Sequence, residues 1–452
     1  MSRKSGPAPT LWWLRRDLRL EDNPALHWAV ERGAPVLAVY IHAPEEEAPW
    51  SPGAASQWWL RQSLQALDRQ LRAAGGGLLQ LSGPSLPSLQ KLIKATGAEA
   101  VVWNRLYEPA IVQRDTAVKA VLRAAGIETH SCAGHLLFEP WAIQTAAGGP
   151  YKVFTPYWRA CQRHSPSSPQ PPVQAEWYKP DWAELEAQPD PPPLAPWEHK
   201  LAEHWQPGAE AAQRVAQSFL DEGLGDYAKQ RDYPAVAGSS RLSPYLHFGE
   251  ISVRALWHAC PADAHSGRES FLRELGWREF AHHLLWHFPQ CTEEAFNPRF
   301  SGFPWKGAEA AAAELSAWQR GKTGIDIVDA GMQELWQSGW MHNRVRMLVG
   351  SLLTKNLGIH WQEGARWFWD TLVDADLANN SLGWQWIAGC GADASPYFRI
   401  FNPHTQAERF DAQGRYRQRW LGDSARPAPI VDLGQSRARA LEAYKDIRAG
   451  AD

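Results

Sequence analysis

The stretch Leu11-Trp12-Trp13-Leu14-Arg15-Arg16-Asp17-Leu18-Arg19-Leu20-Glu21-Asp22-Asn23-Pro24 decides how the N-terminal half folds. Its first four residues form an unbroken apolar run, too short for a helix, and read as a strand buried on both faces. A charged segment follows instead of G-x-G-x-x-G. The glycines that let a backbone approach a pyrophosphate are missing, which disfavours a nicotinamide dinucleotide site. The charged run itself reads as a solvated loop. Working outward, Val36-Leu37-Ala38-Val39-Tyr40-Ile41, Leu78-Leu79-Gln80-Leu81, Val101-Val102-Trp103 and Ile127-Glu128-Thr129 repeat the strand signal. Helical patterns over 24–32, 56–74, 85–96 and 109–125 lie between them, closed by Gly33, Gly75, Gly97 and Gly126. Strands alternating with helices imply parallel pairing, hence a doubly wound α/β domain.

The pattern breaks near Thr145, and from Ser165 to Pro196 prolines recur so often that no helix or central strand is expected. This segment reads as a connector, with Trp177, Tyr178 and Trp182 docking on the surface. From Gly208 onward helical periodicity takes over, with helices expected near 209–220, 251–258, 267–287, 309–320, 325–338, 343–356 and 363–371. The expected organisation is an α/β domain over 8–135, an inter-domain linker over 136–207 and a large all-α domain over 208–452.

A formal net charge of -3 restricts any nucleic-acid surface to a local patch. The five cysteines include no C-x-x-C pair and no metal-ligand spacing, so neither a metal nor an iron–sulfur cluster is expected. The N-terminus lacks a signal-peptide pattern and no apolar run reaches membrane-spanning length, so a cytoplasmic protein is expected. The outlier is tryptophan, with 26 copies, most of which core packing would explain.

Others demand argument by position. Between Gly339 and Pro403, tryptophans are interleaved with Arg346, Asp374, Asp376, Asn379, Asn380 and Arg399 as an apolar core would not need. Buried carboxylates and guanidinium groups require partners, so the segment reads as a polar site walled by aromatic rings. Trp384 and Trp386, two apart, face different directions whichever element carries them, and Asp376 suits an N-cap. Within 271–288, Leu272, Gly276, Phe280, Leu284 and Phe288 form a core stripe, while Glu274, Trp277, Arg278 and Ala281 share another face. Trp277 reads there as a half-exposed core ring or as a stacking platform. Tyr227 and the loop Gly238-Ser239-Ser240-Arg241-Leu242-Ser243-Pro244 supply hydroxyls and an arginine near a helix start, the makings of an anion cradle. His283 and His287 read as surface histidines.

Together these motifs resemble the DNA photolyase/cryptochrome flavoproteins along nearly the whole chain. The resemblance rests on Trp13-Leu14-Arg15-Arg16-Asp17-Leu18-Arg19, Ser240-Arg241-Leu242-Ser243-Pro244-Tyr245-Leu246, Trp277-Arg278-Glu279-Phe280, Gly339-Trp340-Met341-His342-Asn343-Arg344, Gly383-Trp384-Gln385-Trp386 and Tyr397-Phe398-Arg399-Ile400-Phe401-Asn402-Pro403. It implies an antenna-type α/β domain linked to an all-α domain that holds FAD. It implies FAD contacts at Tyr227, Ser239, Ser240, Arg241, Leu242, Ser243, Arg278, Arg346, Asp374, Ala375, Asp376 and Asn380, with Arg346–Asp374 as an ion pair and Asn380 facing the flavin N5. Glu274, Trp277, Arg278, Asn343, Arg344, Met347 and Trp386 match positions that meet a flipped-out pyrimidine dimer and nearby backbone. Trp384, Trp361 and Trp305 match the photoreduction chain.

Six-four photoproduct enzymes of the family carry histidines where this chain has Asn343 and Met347, which points to a cyclobutane dimer as substrate. The implied activity is that of a deoxyribodipyrimidine photo-lyase, a monomer acting on UV-damaged DNA. The alternative is a blue-light photoreceptor of cryptochrome type with little repair. The chain ends soon after Ala438-to-Ile447 without a long tail, which favours repair. A second chromophore, a folate or a deazaflavin, has candidate contacts at Trp103-Asn104-Arg105-Leu106-Tyr107-Glu108-Pro109 and Trp50-Ser51-Pro52-Gly53. Arg344, Lys355, Arg399, Arg415, Arg417 and Arg419 are candidate phosphate contacts.

Overall fold

The structure is a computed structural model that describes residues 7–179, 194–261, 265–394 and 398–449. Its first half is a five-stranded, all-parallel sheet in the order β3-β2-β1-β4-β5. The strands are β1 (Thr10–Leu14), β2 (Val36–His42), β3 (Leu78–Ser82), β4 (Ala100–Asn104) and β5 (Glu128–Cys132). Helices α1 (Pro24–Glu31), α2 (Ala54–Ala73), α3 (Ser85–Thr96) and α4 (Pro109–Ala124) alternate with them. Trp12 and Trp13, on opposite faces of β1, are both fully buried, which explains why no polar residue interrupts the run.

The charged segment after β1 is not a solvated loop. Arg15, Asp17, Arg19, Asp22 and Asn23 are all buried. Arg19 donates from Nη1 to the Gly249 carbonyl at 2.8 Å and from Nη2 to the Gly134 carbonyl at 2.9 Å. Asp22 accepts from Arg254 Nη2 at 2.8 Å and also binds Ser252. These partners lie far along the chain, so the segment is a seam between the two halves. Gly249, with φ of +64°, approaches so closely that a Cβ there would sit 2.3 Å from the Arg16 carbonyl oxygen.

Among its described residues the connector is helical in two places where helix was not expected, α5 (Phe154–Cys161) and α6 (Pro196–His204). Pro196 occupies the first turn of α6, where a missing N–H costs nothing. Trp177 docks as expected, packed over Gly76, while Val36 of β2 pairs with the connector backbone through the Glu176 carbonyl and the Tyr178 N–H. Trp182 lies outside the described residues.

The second half is helical: α7 (Ala209–Ser218), α8 (Tyr227–Gln230), α9 (Ser243–His247), α10 (Val253–Ala259), α11 (His265–His287), α12 (Ala312–Gln319), α13 (Asp326–Ser338), α14 (Asn343–Ser351), α15 (Trp361–Thr371), α16 (Leu377–Ala388), α17 (Pro403–Phe410), α18 (Arg415–Leu421) and α19 (Leu433–Ala449). A π turn, Leu352–Asn356, continues α14. Helix α16 packs against α11, α14 and α15, and so runs through the middle of the domain. Among the described residues no helix is long and apolar enough to cross a membrane.

Candidate functional site

Helix α16 and its cap organise the site. Asp376 is the N-cap, its Oδ1 accepting from the Asn379 N–H at 2.9 Å and from Asn379 Nδ2 at 2.7 Å. Two residues earlier, Asp374 receives Arg346 Nη2 on both oxygens, at 3.0 and 2.8 Å, and the Ser243 hydroxyl at 2.7 Å. This joins α14, the turn before α16 and the serine loop. Arg241 in that loop adopts a φ of 53° and lies between the Trp205 and Trp340 rings, 4.2 and 4.9 Å from their centroids. A non-glycine residue in that conformation is uncommon and tends to mark functional sites. Ser239 and Ser240 are half-buried beside it, Leu242 is buried, and Tyr227 is buried at the start of α8. Ala375 is buried between the two aspartates.

Asn380 stands one turn after the cap. Its Nδ2 donates to the Ala365 carbonyl at 3.0 Å, so the amide oxygen is the end left to accept from another group. Trp384, one turn further, is buried edge-on to Phe368 and Trp318, with centroids 4.9 and 6.1 Å apart. Its ring fits only because position 364 is glycine; a Cβ there would fall 2.1 Å from Trp384 Cη2. Trp361 begins α15, one turn before Gly364, and is buried. The His360 ring bridges it to Trp305, with centroids 5.6 Å and 5.5 Å apart, and Trp305 is half-buried. Trp318, close to Trp384, is a lone tryptophan after an alanine run, a sequence context that reads as core and carries no site signal.

The residues matched to the lesion are divided by the structure. Asn343 is exposed at the start of α14, with Arg344 and Met347 half-buried behind it. Trp386 is half-buried with the Arg399 guanidinium 5.6 Å from its ring centroid. Trp277 lies flat on Phe154, centroids 3.7 Å apart and planes within 9°, so one of its faces is already covered. Glu274 is ion-paired with Arg231. Arg278 corrects the expectation of a DNA contact: it is buried, with Nη1 3.0 Å from the His135 carbonyl oxygen and Nη2 2.8 Å from His135 Nε2. Helical spacing put Arg278 on the Glu274 face, but the α/β half covers that part of α11.

Lys355 is corrected likewise. It is 2% exposed, with Nζ 2.6 Å from the Ala388 carbonyl oxygen at the end of α16 and 3.1 Å from the Phe398 ring centroid. It therefore binds a helix end rather than a phosphate. Of the basic cluster near the C-terminus, Arg417 pairs with Asp411 at 3.0 Å, and Arg419 donates to the Ala235 carbonyl at 3.3 Å. His283 is not a surface residue either. Its Nδ1–H donates to the Pro140 carbonyl at 2.9 Å and its Nε2 accepts from the Tyr151 N–H at 3.0 Å. Ser395, Pro396 and Tyr397 lie outside the described residues.

The seam adds a polar cluster that the sequence did not reveal, because its members come from four distant segments. Asp376 Oδ2 lies 3.5 Å from His247 Nδ1 and 3.6 Å from His282 Nε2. Burial would raise the Asp376 carboxyl, but His282, His247 and Arg278 outweigh it and hold the group well below the usual carboxylate range. His135, His282 and Asp376 offer donor atoms within 4.8 Å of one another. Arg278 already donates to His135 Nε2, so a metal there would face a guanidinium. On the antenna side, the Trp50–Gly53 loop is packed shut. Trp50 meets Trp369 edge-on at 5.5 Å, and Trp369 Nε1 donates to the Ser51 carbonyl at 2.7 Å.

The family model for DNA photolyase matches residues 10–175, and the one for the FAD binding domain of DNA photolyase matches residues 271–426. The deoxyribodipyrimidine photo-lyase of Agrobacterium fabrum is 43% identical, over 98% of each chain. The chain belongs to the DNA photolyase family. A bacterial class III photolyase from Agrobacterium tumefaciens has the same fold, with a TM-score of 0.89 and 42% identity over 99% of each chain. Arabidopsis thaliana cryptochrome-1 is 37% identical over 96% of this chain and 70% of the relative. As in other photolyases, FAD is the cofactor of the helical half. The donor set fits it: a fixed arginine–aspartate pair, a strained arginine loop lined by hydroxyls, and an amide oxygen directed by Ala365.

Proposed function

We propose that this photolyase splits cyclobutane pyrimidine dimers in DNA, and that Asn380, Arg346, Asp374 and Trp384 tune and feed the flavin that drives the reaction. When bound and reduced, FAD would supply the light-driven one-electron chemistry, and the residues of the helical half would hold and tune it. The observation that carries this reading is the Asn380 amide. Its nitrogen is committed to Ala365, so its oxygen is fixed as an acceptor, which suits the N5–H of a reduced flavin.

The chain's own residues hold the rest in place. Tyr227, Ser239, Ser240, Arg241, Leu242, Ser243, Ala375 and Asp376 line the cofactor side, with Arg278 behind them supporting the seam. Trp384, Trp361 and Trp305 carry electrons from the surface to restore the reduced state. Glu274, Trp277, Asn343, Arg344, Met347 and Trp386 receive the extruded dimer, whose unstacking costs a few kcal/mol and less for a lesion that already stacks badly. The Trp277 face turned away from Phe154 is the one available to a base. The β4 end is packed as closely as the Trp50–Gly53 loop, with Leu106, Tyr107 and Glu108 buried and Arg105 paired with Glu139 at 3.1 Å. A folate or deazaflavin would therefore have to reach it at the half-buried Arg105.

We place the domain limits at 8–135, 136–207 and 208–452, and the protein in the cytoplasm as a monomer. The reading is tested by mixing photoreduced protein with a dimer-containing oligonucleotide in blue light. A photoreceptor of cryptochrome type would keep the flavin chemistry and leave the dimers intact.

A further inference from the structure

Two consecutive residues at the end of α8 reach the charged groups assigned to the lesion. Arg231 pairs with Glu274, and Asp232 Oδ1 lies 2.7 Å from Arg344 Nη2. The Arg344 guanidinium also lies over the Phe410 ring, 4.4 Å from its centroid, and its Nη1 is 3.9 Å from Met347 Sδ. The Asp232 side chain is 39% exposed and that of Arg344 19%, so the pair stands at the rim, where a DNA backbone would arrive.

We propose that Asp232 is a specificity-determining residue that holds down the binding of undamaged DNA by neutralising Arg344. The proposal rests on the reading of Arg344 as a DNA contact. Binding of intact duplex is almost wholly electrostatic, so it responds to the net charge presented to the phosphates. With Asp232 on Nη2, Arg344 presents almost none. A dimer complex differs because stacking on Trp277 and Trp386 fixes the register of the DNA. A phosphate can then approach the Nη1 edge while Asp232 keeps Nη2, and one guanidinium serves both anions. A negative charge at this position therefore penalises intact DNA more than damaged DNA, a discrimination made by repulsion.

The test compares wild type, Asp232→Asn, Arg344→Gln and the double variant, titrating intact and dimer-containing duplexes from about 50 to 200 mM salt. Asp232→Asn is expected to bind intact duplex roughly threefold or more tightly at low salt, with a slope against log salt steeper by about 0.9, the value for one added phosphate. Its affinity for dimer DNA should change less than twofold. In the Arg344→Gln background the same substitution should no longer tighten binding. An intact-DNA affinity and slope equal to wild type would overturn the proposal, as would equal tightening on both duplexes. If Arg344→Gln itself leaves dimer binding unchanged, the DNA-contact reading beneath the proposal fails instead.

Discussion

Arg346 grips Asp374 with one nitrogen, Nη2, which reaches both carboxylate oxygens at 3.0 and 2.8 Å while Nε is held by the Met341 carbonyl at 2.7 Å. The guanidinium is thus fixed at two edges, and Asp374 is further tied to Ser243. Three segments of the helical half meet in this one pair.

Asp374→Asn should therefore loosen the flavin. It replaces a charge-assisted pair with neutral bonds and leaves Arg346 half-buried without its counter-charge, at a cost of about 1–3 kcal/mol. Flavin absorbance retained after gel filtration should fall, with the unfolding midpoint in urea falling alongside. Full retention of the flavin would remove the pair from the cofactor site.

Trp384→Phe should abolish rapid photoreduction of oxidised flavin. Repair should persist when the protein is supplied already reduced, since the role proposed for Trp384 is to feed the cofactor rather than to meet the dimer. The flavin spectrum followed under illumination with an external electron donor decides this. Photoreduction at the wild-type rate would contradict the assignment.

Much of the architecture was readable because parallel strands buried on both faces leave short apolar runs, such as Leu11–Leu14, that little else produces. Helix α16 was not readable. Its Leu377 and Trp384 meet one wall, Ala378 and Leu382 another, so no stripe marks it as a helix. The charged residues Arg15 to Asp22 suggested solvent because their partners, Gly134, Gly249, Ser252 and Arg254, are remote in sequence. Lys355 and Arg278 misled for the same reason. The mixture of polar groups and aromatic rings between Gly339 and Pro403 was legible by residue type, and the structure brings Arg346, Asp374 and Trp340 together. The Arg231-Asp232 turn, by contrast, gained meaning only from the residues it meets.

His283 gives a pH dependence with a defined sign. Burial lowers its pKa to about 4, because the charged imidazolium would lose its solvation, and the neighbouring His287 adds to the effect. The unfolded chain takes up that proton near pH 6.5, so this contribution is present above pH 6.5 and is lost as pH falls toward 4. At pH 5 the loss amounts to about 2 kcal/mol. His283→Gln should lose correspondingly less between pH 7 and pH 5 in denaturant melts. Equal losses would show that His283 is not the group responsible.

Trp277→Ala should weaken binding to dimer DNA by roughly 1–3 kcal/mol if its free face stacks on the extruded lesion. Intact duplex should bind nearly as before. Because Trp277 also stacks on Phe154, a thermal melt is needed alongside to separate lost packing from lost recognition. Unchanged affinity for dimer DNA in a folded variant would take the ring out of the site.

The most direct test of the central claim is recovery of thymine absorbance from a dimer-containing oligonucleotide mixed with photoreduced protein in blue light. The account predicts recovery that requires light and stays absent in the dark. No recovery from protein that carries fully reduced FAD and binds the oligonucleotide would contradict it.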